Sequence, residues 1–341
     1  MKKRETELDI LRIIATIGVI FTHASNVTAN TAFGQSILTF CIAIVTWHVP
    51  VFVMISGRFF LAPNRELSPS KLKQAIRRLI VAFLFWNIIY QLYYITSGTY
   101  QDLNWKGILS QVIIGPYHFW YLFMLVALYA ITPFLRRITE KKDLSEYFLI
   151  LFFAFSFLTT YSIRLPGIGP TLSQILSHTS FHFALGFSGY YVLGHYLHQY
   201  PLSRKNEFGL YILGAAMILF TGIATVWKTA NGAPGEEWFS KYLMPNVIIE
   251  AAAIYTFFTN RICRLKLSAP VQAAVSQIAA SCFGIYLVHA LILDLLCSMV
   301  FNLLPISAIS LVLLRVFCTF IVALIVVCFI RKIPYVGKKI T

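Results

Sequence analysis

The sequence predicts an all-α membrane protein: a polytopic bundle of about ten transmembrane helices with both termini in the cytoplasm. Three observations support this prediction, namely the composition, the lengths of the apolar runs and the distribution of basic residues. Of the 341 residues, 58% are hydrophobic and only 12% are charged. Soluble domains average roughly 45–50% apolar and 25% charged residues. A soluble core does not need this much apolar surface, so the excess indicates contact with lipid.

Ten apolar runs follow one another along the chain. Each is long enough to supply the ~20 residues with which a helix crosses about 30 Å of hydrocarbon. The run at 105–115 is too short and is interpreted as a loop or a re-entrant segment. The predicted spans cover residues 8–29, 37–62, 75–96, 118–135, 145–163, 180–199, 208–227, 242–260, 276–301 and 306–330.

The connections between the spans are short and leave no room for a soluble domain. The longest lie at 97–117, 164–179 and 228–241 and are predicted to be loops from their Gly, Pro and amide residues. The chain shows no internal repeat. Residues 1–341 are therefore predicted to form one membrane domain.

Lysine and arginine residues predict the orientation. Twenty-one of them fall on one side of the predicted bundle and only four on the other, in unbroken alternation. Cytoplasmic loops carry such an excess, so the basic side is predicted to be cytoplasmic and the protein to lie in the cell membrane as a multi-pass chain. The net charge of +15 then reflects topology, and no nucleic-acid partner is expected.

All six cysteines lie in or at the ends of predicted spans, and there is no CxxC pair. Such cysteines are typical of small apolar packing residues. Neither a disulfide nor a metal site is expected from them.

Ionisable residues inside the spans require an explanation, because each raises the free energy of membrane insertion by at least ~2.5–3.5 kcal/mol. Several carry no obvious structural purpose and are candidates for function. They are Asp9, Arg12, His23, His48, Arg58, Glu250, His289, Asp294 and Arg315.

The first helix holds the most informative pair. Arg12 and His23 are eleven residues apart, which places them about 20° from the same face and roughly 16 Å apart along the axis. Asp9 precedes Arg12 by three residues and is close enough to pair with it. One interpretation has Arg12 reaching lipid phosphates and His23 bonding a neighbouring helix. The other has Arg12 near an anionic group and His23 acting as a general base in a lined pathway.

The remaining intramembrane groups have simpler interpretations. Asp294 and Arg315 flank a short turn by about ten residues each, which favours a structural ion pair between antiparallel helices. Glu250 is expected to be protonated or to pair with Arg12 or Arg58. His48 lies two residues before a proline, which favours a kink with local polar contacts.

The stretch LDILRIIATIGVIFTH (8–23) resembles the opening of the acyltransferase 3 family of membrane acyltransferases, whose hallmark is Arg-x10-His on the first helix. Arg12 and His23 fit this spacing. Further segments resemble the family in its own order: VPVFVMISGRFFL (49–61), IRRLIVAFLFWNIIY (76–90), HFWYLFMLVALYAITPFLR (118–136), GYYVLGHYL (189–197) and CFGIYLVHALIL (282–293).

The resemblance implies a reaction. Members of the family take an acyl group, usually acetyl, from cytoplasmic acyl-CoA and deliver it to a hydroxyl, often on an extracytoplasmic or lipid-linked glycan. His23 matches the catalytic histidine, Arg12 its partner, and Asp9 lies beside them. No bound cofactor is expected, since acyl-CoA is the donor substrate.

Two further groups of residues receive expected roles from this resemblance. Arg77 and Arg78 are expected to hold CoA phosphates, because arginine makes bidentate contacts to phosphate. Their adjacency departs from the family's spaced arginines, and the positive-inside rule alone also explains them. Arg58, Ser56 and Gly57 are expected near the same entrance.

His118, Trp120 and Tyr121 begin the fourth span on the outer side and are expected to bind the acceptor. An aromatic belt at the membrane interface is the alternative explanation. A secondary transporter is the competing function for the whole chain, with its intramembrane charges forming a substrate or proton path. Transporters often contain internal repeats, and none is found in this sequence.

Overall fold

The structure is a computed structural model that describes residues 5–29, 31–63, 67–101, 103–161, 167–178, 185–231, 239–334 and 337–341. Within these residues every regular element is helical, and none is a strand. Some of the basic residues that predict the orientation, among them Lys2, Lys3, Arg4 and Arg65, lie outside the described residues.

The described residues form fourteen α-helices. Short 3-10 turns at Tyr117–Phe119, Ile262–Arg264 and Phe301–Leu303 lie between some of them. In chain order the helices are α1 (Thr6–Ala24), α2 (Ala32–Ala43), α3 (His48–Phe60), α4 (Pro69–Thr96), α5 (Trp105–Ile114), α6 (Trp120–Thr139), α7 (Lys142–Thr160), α8 (Gly169–Ser177), α9 (Phe187–Gln199), α10 (Arg204–Ala230), α11 (Pro245–Asn260), α12 (Ala269–Met299), α13 (Ala308–Lys332) and α14 (Gly337–Ile340).

Seven helical segments of the described chain are long and apolar enough to cross a membrane. They contain α2 with α3, and α4, α6, α7, α10, α12 and α13. The predicted class, an all-α membrane bundle, is confirmed, but the predicted count of ten spans is not. The other three predicted spans contain α1, which carries three charges, and α9 and α11, which have 13 and 16 residues. Residues 180–184 of the span that contains α9 lie outside the described residues.

The second predicted span is broken into two helices. α2 ends at Ala43, α3 begins at His48, and the His48 Nδ1 atom lies 2.5 Å from the Val45 carbonyl oxygen in the connecting turn. Pro50 follows in the first turn of α3, where its missing N–H does not cost a helical hydrogen bond. The expected kink is therefore a full interruption with the polar contact supplied by His48.

Two segments predicted to be loops contain helices. α5 starts at Asn104, whose side chain accepts a hydrogen bond from the Gly107 N–H at 2.9 Å. At its other end the Asn87 amide of α4 donates to the Val112 carbonyl at 2.6 Å. Capping at both ends stabilises a helix that the run's length alone did not predict. α8 likewise lies within the predicted 164–179 loop.

Contacts between helix ends define what we term the basic end of the bundle, the end that the sequence predicts to be cytoplasmic. Here Arg58 pairs with Glu5 at 2.6 Å, and Arg136 donates to the Phe60 carbonyl at 3.0 Å. Arg261 pairs with Glu207 at 2.8 Å at the same end. These contacts join the start of α1 to the end of α3, the end of α3 to the end of α6, and the end of α11 to the start of α10. The opposite end is termed the outer end.

Helices α3 and α9 cross with their backbones in contact. A Cβ atom on Gly57 would lie 1.8 Å from the Tyr191 carbonyl oxygen, and one on Gly194 would lie 2.1 Å from that of Met54. Small residues permit such close approach between membrane helices. The crossing fixes the rotation of α3 and turns Ser56, the neighbour of Gly57, toward the interior cavity described next.

Candidate active site

A cavity of about 440 Å³ lies between α1, α3, α4, α6 and α12. We term it the central cavity. From α1 it is lined by Arg12, Thr16, Val19 and His23, which recur every three or four residues. That spacing forms a single stripe on a helix. The structure thus places Arg12 and His23 on one face, as the helical periodicity predicts, and gives both access to the same space.

At the basic end the central cavity is lined by the Arg12 guanidinium, which neighbouring side chains hold in place. The Arg12 Nη1 atom bonds the Asp9 Oδ1 atom at 3.0 Å, and the guanidinium lies 5.4 Å from the centre of the Phe59 ring. Asp9 is only 1% exposed, and its other oxygen accepts a 3.4 Å hydrogen bond from Ser276. The expected Asp9–Arg12 pair is formed, and Asp9 does not itself line the cavity.

Only some of the expected donor residues reach the central cavity. Arg78 and Ser56 line it, whereas Arg77, Arg58 and Gly57 do not. Adjacent residues of a helix point about 100° apart, so Arg77 faces away when Arg78 faces in. Arg58 is instead paired with Glu5, and Gly57 packs on the backbone of α9.

Arg78 makes two contacts at the wall of the cavity. Its guanidinium lies 5.2 Å from the centre of the Phe283 ring, and its Nη2 atom donates to the Thr341 carbonyl at 2.7 Å. The cavity therefore carries two guanidinium groups, one from α1 and one from α4.

At the other end of the stripe three histidines come together. The His23 ring centre lies 5.2 Å from that of His289 and 6.4 Å from that of His118, and the last two are 5.0 Å apart. His289 and His118 are 0% and 2% exposed. Among the described residues no group of His, Cys, Asp or Glu is arranged to hold a metal ion.

The hydrogen bonds of this histidine cluster leave ring nitrogens available. The His289 Nδ1 atom bonds the Tyr286 carbonyl at 2.7 Å, while its Nε2 atom has no partner among the described residues. The His118 Nδ1 atom also lacks one. The His23 ring makes ring contacts with Tyr117, His118 and His289 but no hydrogen bond to the part of the chain that is described. An imidazole in this state can accept a proton from a bound hydroxyl.

Aromatic residues form the wall beside His23. The expected acceptor residues His118, Trp120 and Tyr121 all line the central cavity. Trp120 stacks on Tyr242 with ring centres 5.6 Å apart and an interplanar angle of 28°. The Tyr286 hydroxyl donates to the His118 carbonyl at 2.6 Å and holds the turn before α6.

Tyr242 and Tyr286 were not predicted from the sequence, although both line the cavity. Tyr286 lies one turn before His289 on α12, and that spacing is a signal for a shared face. Tyr242 lies between helices, where no periodicity applies.

His48 lines the central cavity, whereas Glu250, Asp294 and Arg315 lie outside it. Glu250 is not paired with Arg12 or Arg58: its Oε1 atom accepts a hydrogen bond from Thr221, which in turn accepts one from Asn246 at 2.6 Å. We term these three residues the Glu250 cluster.

The prediction of an ion pair between Asp294 and Arg315 is wrong. Arg315 donates to the Asn302 Oδ1 atom at 3.2 Å and to the Ala24 carbonyl at 3.5 Å. The turn between α12 and α13 brings Asn302 within reach of the guanidinium and supplies a nearer acceptor than the Asp294 carboxylate. No ion pair of the described residues includes Asp294.

Comparison of the sequence with known proteins identifies its family. A family model described as an acyltransferase domain matches residues 5–332, so the chain belongs to the acyltransferase 3 family of membrane proteins. Curated relatives from Staphylococcus aureus strains MSSA476 and Mu50 are each named probable poly-beta-1,6-N-acetyl-D-glucosamine export protein. Each is 24% identical to this chain over 324 residues, covering 86% of the chain and 84% of the relative. No solved structure matches the chain.

Proposed function

We propose that the protein is a membrane O-acyltransferase. It moves an acyl group, most simply acetyl, from acyl-CoA on the cytoplasmic side to a hydroxyl of a glycan at the outer side. One observation carries the proposal: a single cavity is lined by Arg12 and Arg78 toward the basic end and by His23 further along the same stripe. Membership of the acyltransferase family supports the reaction class.

The proposed chemistry centres on His23. Its imidazole takes the proton from the acceptor hydroxyl as the oxygen attacks the thioester carbonyl carbon. The carbon–sulfur bond then breaks, and the CoA sulfur takes the proton back from the imidazolium and leaves as the thiol. General-base catalysis of this kind contributes about 10²–10⁴-fold in rate.

The two guanidinium groups are proposed to bind the donor. CoA is polyanionic, and charge-assisted bonds from arginine to phosphate are among the stronger hydrogen bonds in proteins. Arg12 keeps its bond to Asp9, and this bond orients the guanidinium. The remaining N–H groups of Arg12 then face the cavity. Arg78 exchanges its contact with the Thr341 carbonyl for a phosphate oxygen.

A glycan is the proposed acceptor. The S. aureus relatives are named for a polysaccharide, and this name supports the acceptor class. The stacked rings of Trp120 and Tyr242 offer an aromatic surface beside His23. Aromatic faces suit the apolar faces of sugar rings while leaving the hydroxyls free to react.

Export is the second candidate function, favoured by the word in the relatives' names. In that case the central cavity is a segment of a transport path, and the intramembrane polar groups line it. The two functions differ in one observable: acyl transfer consumes acyl-CoA, whereas export moves glycan without consuming it.

Purified protein with acetyl-CoA and an oligosaccharide acceptor tests the proposal through release of the CoA thiol and acylation of the sugar. His23→Ala is expected to reduce both by about 10²–10⁴-fold. His198→Ala is the matched control, because His198 is exposed on α9 and lines no described cavity. Equal rates in wild type and His23→Ala would overturn the mechanism, and glycan flux into vesicles without thiol release would favour export.

A further inference from the structure

A second cavity of about 790 Å³ lies at the outer end, between the end of α1, α2, α10 and the segment before α11. We term it the outer vestibule. Eleven of its seventeen described lining residues carry an aliphatic hydroxyl or an amide, and none is Asp, Glu, Lys or Arg. Representative members are Thr22, Asn26, Gln35, Thr39, Thr229 and Ser240.

His48 and Tyr242 line both the outer vestibule and the central cavity. Their ring centres lie 5.9 Å apart in an edge-on arrangement. His48 packs against α1 at Gly18, where an added Cβ atom would lie 3.2 Å from the His48 Cβ atom. Gly18 precedes His23 by five residues, or roughly 7.5 Å along the helix. His48 and Tyr242 therefore form a boundary shared by the two cavities, within roughly two helical turns of His23 along α1.

His48 is a buried polar group at this junction. It is only 2% exposed, and its Nδ1 atom bonds the Val45 carbonyl. The Nε2 atom makes no hydrogen bond to the described residues. A neutral imidazole whose Nδ1 atom is the donor presents Nε2 as an acceptor, so the junction offers an acceptor to a ligand hydroxyl that passes it.

We propose that the outer vestibule binds the acceptor and that this acceptor is an uncharged glycan, which passes His48 and Tyr242 to reach His23. This inference rests on the proposed acyltransferase function and adds the location and charge class of its second substrate. The vestibule supplies what sugar hydroxyls need, an array of neutral donors and acceptors.

Hydrogen bonds within the protein determine which donors and acceptors of the outer vestibule remain available to a ligand. The Thr22, Thr46 and Thr225 hydroxyls donate to helix carbonyls at 3.1, 2.9 and 2.6 Å. Their oxygen lone pairs remain to accept from sugar hydroxyls. The Gln35 Oε1 atom accepts from the Ala29 N–H at 3.0 Å, and the Gln35 amide nitrogen is left to donate.

The absence of charged residues from the described lining supports an uncharged ligand. An anionic sugar would lose its hydration on entering without gaining a cation, and burial of an unpaired charge is costly. The central cavity is different, since Arg12 and Arg78 line it. The two linings thus differ in charge. The central cavity has cations for the anionic donor, and the outer vestibule has neutral groups for the acceptor.

Filling the outer vestibule tests the location. Thr39→Phe is expected to lower acyl transfer to a neutral β-1,6-linked N-acetylglucosamine oligosaccharide by about tenfold or more, since a one-ångström misplacement can cost 10²-fold. Binding of radiolabelled acetyl-CoA is expected to stay unchanged. Thr96→Phe, on the exposed end of α4, is the matched control and is expected to change neither quantity. Gln35→Leu is the second variant, because it removes the amide without adding bulk.

The outcomes separate this inference from the proposed function. If His23→Ala abolishes transfer but Thr39→Phe and Gln35→Leu both transfer normally, the vestibule assignment is wrong and the function stands. If His23→Ala also transfers normally, the His23 mechanism is wrong, and if the wild-type protein transfers no acyl group, the proposed function itself has failed.

A matched pair of acceptors tests the charge class. The neutral oligosaccharide is expected to be used at least about tenfold better, in kcat/KM, than a uronic-acid oligosaccharide of equal length, because the acid leaves a buried charge unpaired. Gln35→Arg is expected to narrow this preference by supplying a cation. A wild-type preference for the acidic oligosaccharide would overturn the charge assignment.

Discussion

The central cavity and the Glu250 cluster both bury ionisable groups within the membrane bundle, yet they differ in access. Glu250 is 0% exposed, lines neither the central cavity nor the outer vestibule, and is bonded to Thr221. His23 lines the central cavity and makes no hydrogen bond to the described residues. A buried ionisable residue is therefore a candidate for chemistry where space adjoins it, and a packing element where its neighbours close around it.

The difference matters because the two regions look alike in the sequence. Each places an acid or base in an apolar run, and the cost of insertion is of the same order for both. Only the tertiary structure shows that α1 borders a cavity while α10 and α11 pack tightly against each other. A Cβ atom on Gly214 of α10 would lie 2.3 Å from the Ala253 Cβ atom of α11.

Replacement of His23 by glutamine is expected to have the largest effect. Glutamine keeps the hydrogen-bonding capacity but cannot take up a proton, so kcat for acyl transfer should fall by about 10²–10⁴-fold. The measurement is the initial rate of thiol release with saturating acetyl-CoA and glycan. Detergent-solubilised protein should elute from size-exclusion chromatography as the wild type does. If His23→Gln retains more than a tenth of the wild-type rate, His23 is not the general base.

Gly57→Ala should mainly damage folding. Its Cβ atom would lie 1.8 Å from the Tyr191 carbonyl oxygen, and the backbone of α9 cannot yield as a flexible side chain does. Overpacking costs ~1–3 kcal/mol or more, so the midpoint of thermal unfolding should fall. Gly209→Ala is the control, because no described atom beyond its chain neighbours and the nearby backbone of α10 lies within 4 Å of the added Cβ. An unchanged midpoint of thermal unfolding for Gly57→Ala would show that α3 and α9 are further apart than in this structure.

Arg12→Ala should weaken donor binding. Hydrogen bonds to charged groups contribute ~1.5–3 kcal/mol, so KM for acetyl-CoA is expected to rise about 10–100-fold. Arg12→Lys should recover part of this loss, since it restores the charge without the planar fork. Arg77→Ala, which changes an arginine outside the central cavity, is expected to leave KM unchanged. Equal effects from Arg12→Ala and Arg77→Ala would instead indicate a general electrostatic attraction at the basic end.

Glu250→Gln should have the smallest effect. The amide oxygen can still accept from Thr221, so acyl transfer is expected to stay within about threefold of the wild-type rate. Thr221→Val removes that hydrogen bond and should lower the unfolding midpoint without changing KM. A loss of transfer in Glu250→Gln as large as that in His23→Gln would remove the distinction between the two regions.

The sequence was sufficient for the membrane class and for the α1 stripe, because both depend on local pattern. Composition predicts the lipid-facing helices, and a spacing of eleven residues predicts the shared face of Arg12 and His23. The resemblance to the acyltransferase family is confirmed by the match over residues 5–332.

Other features depend on contacts between distant segments and were missed. The Arg315 partner is Asn302 and not Asp294, since the turn geometry decides which oxygen lies nearer. Gly57 was grouped with the donor residues, but it faces α9 while Ser56 faces the cavity. The number of spans is not fixed either, because α11 is shorter than the apolar run that contains it and residues 180–184 of the sixth predicted span lie outside the described residues.

Transfer across a sealed membrane tests the central claim most directly. Proteoliposomes of known orientation would carry radiolabelled acetyl-CoA only at the basic end and a neutral oligosaccharide only at the outer end. Labelled oligosaccharide is expected with wild-type protein and should fall to background with His23→Ala. Transfer that requires both substrates on the same side, or equal labelling by His23→Ala, would contradict the claim that one cavity joins the two substrates at His23.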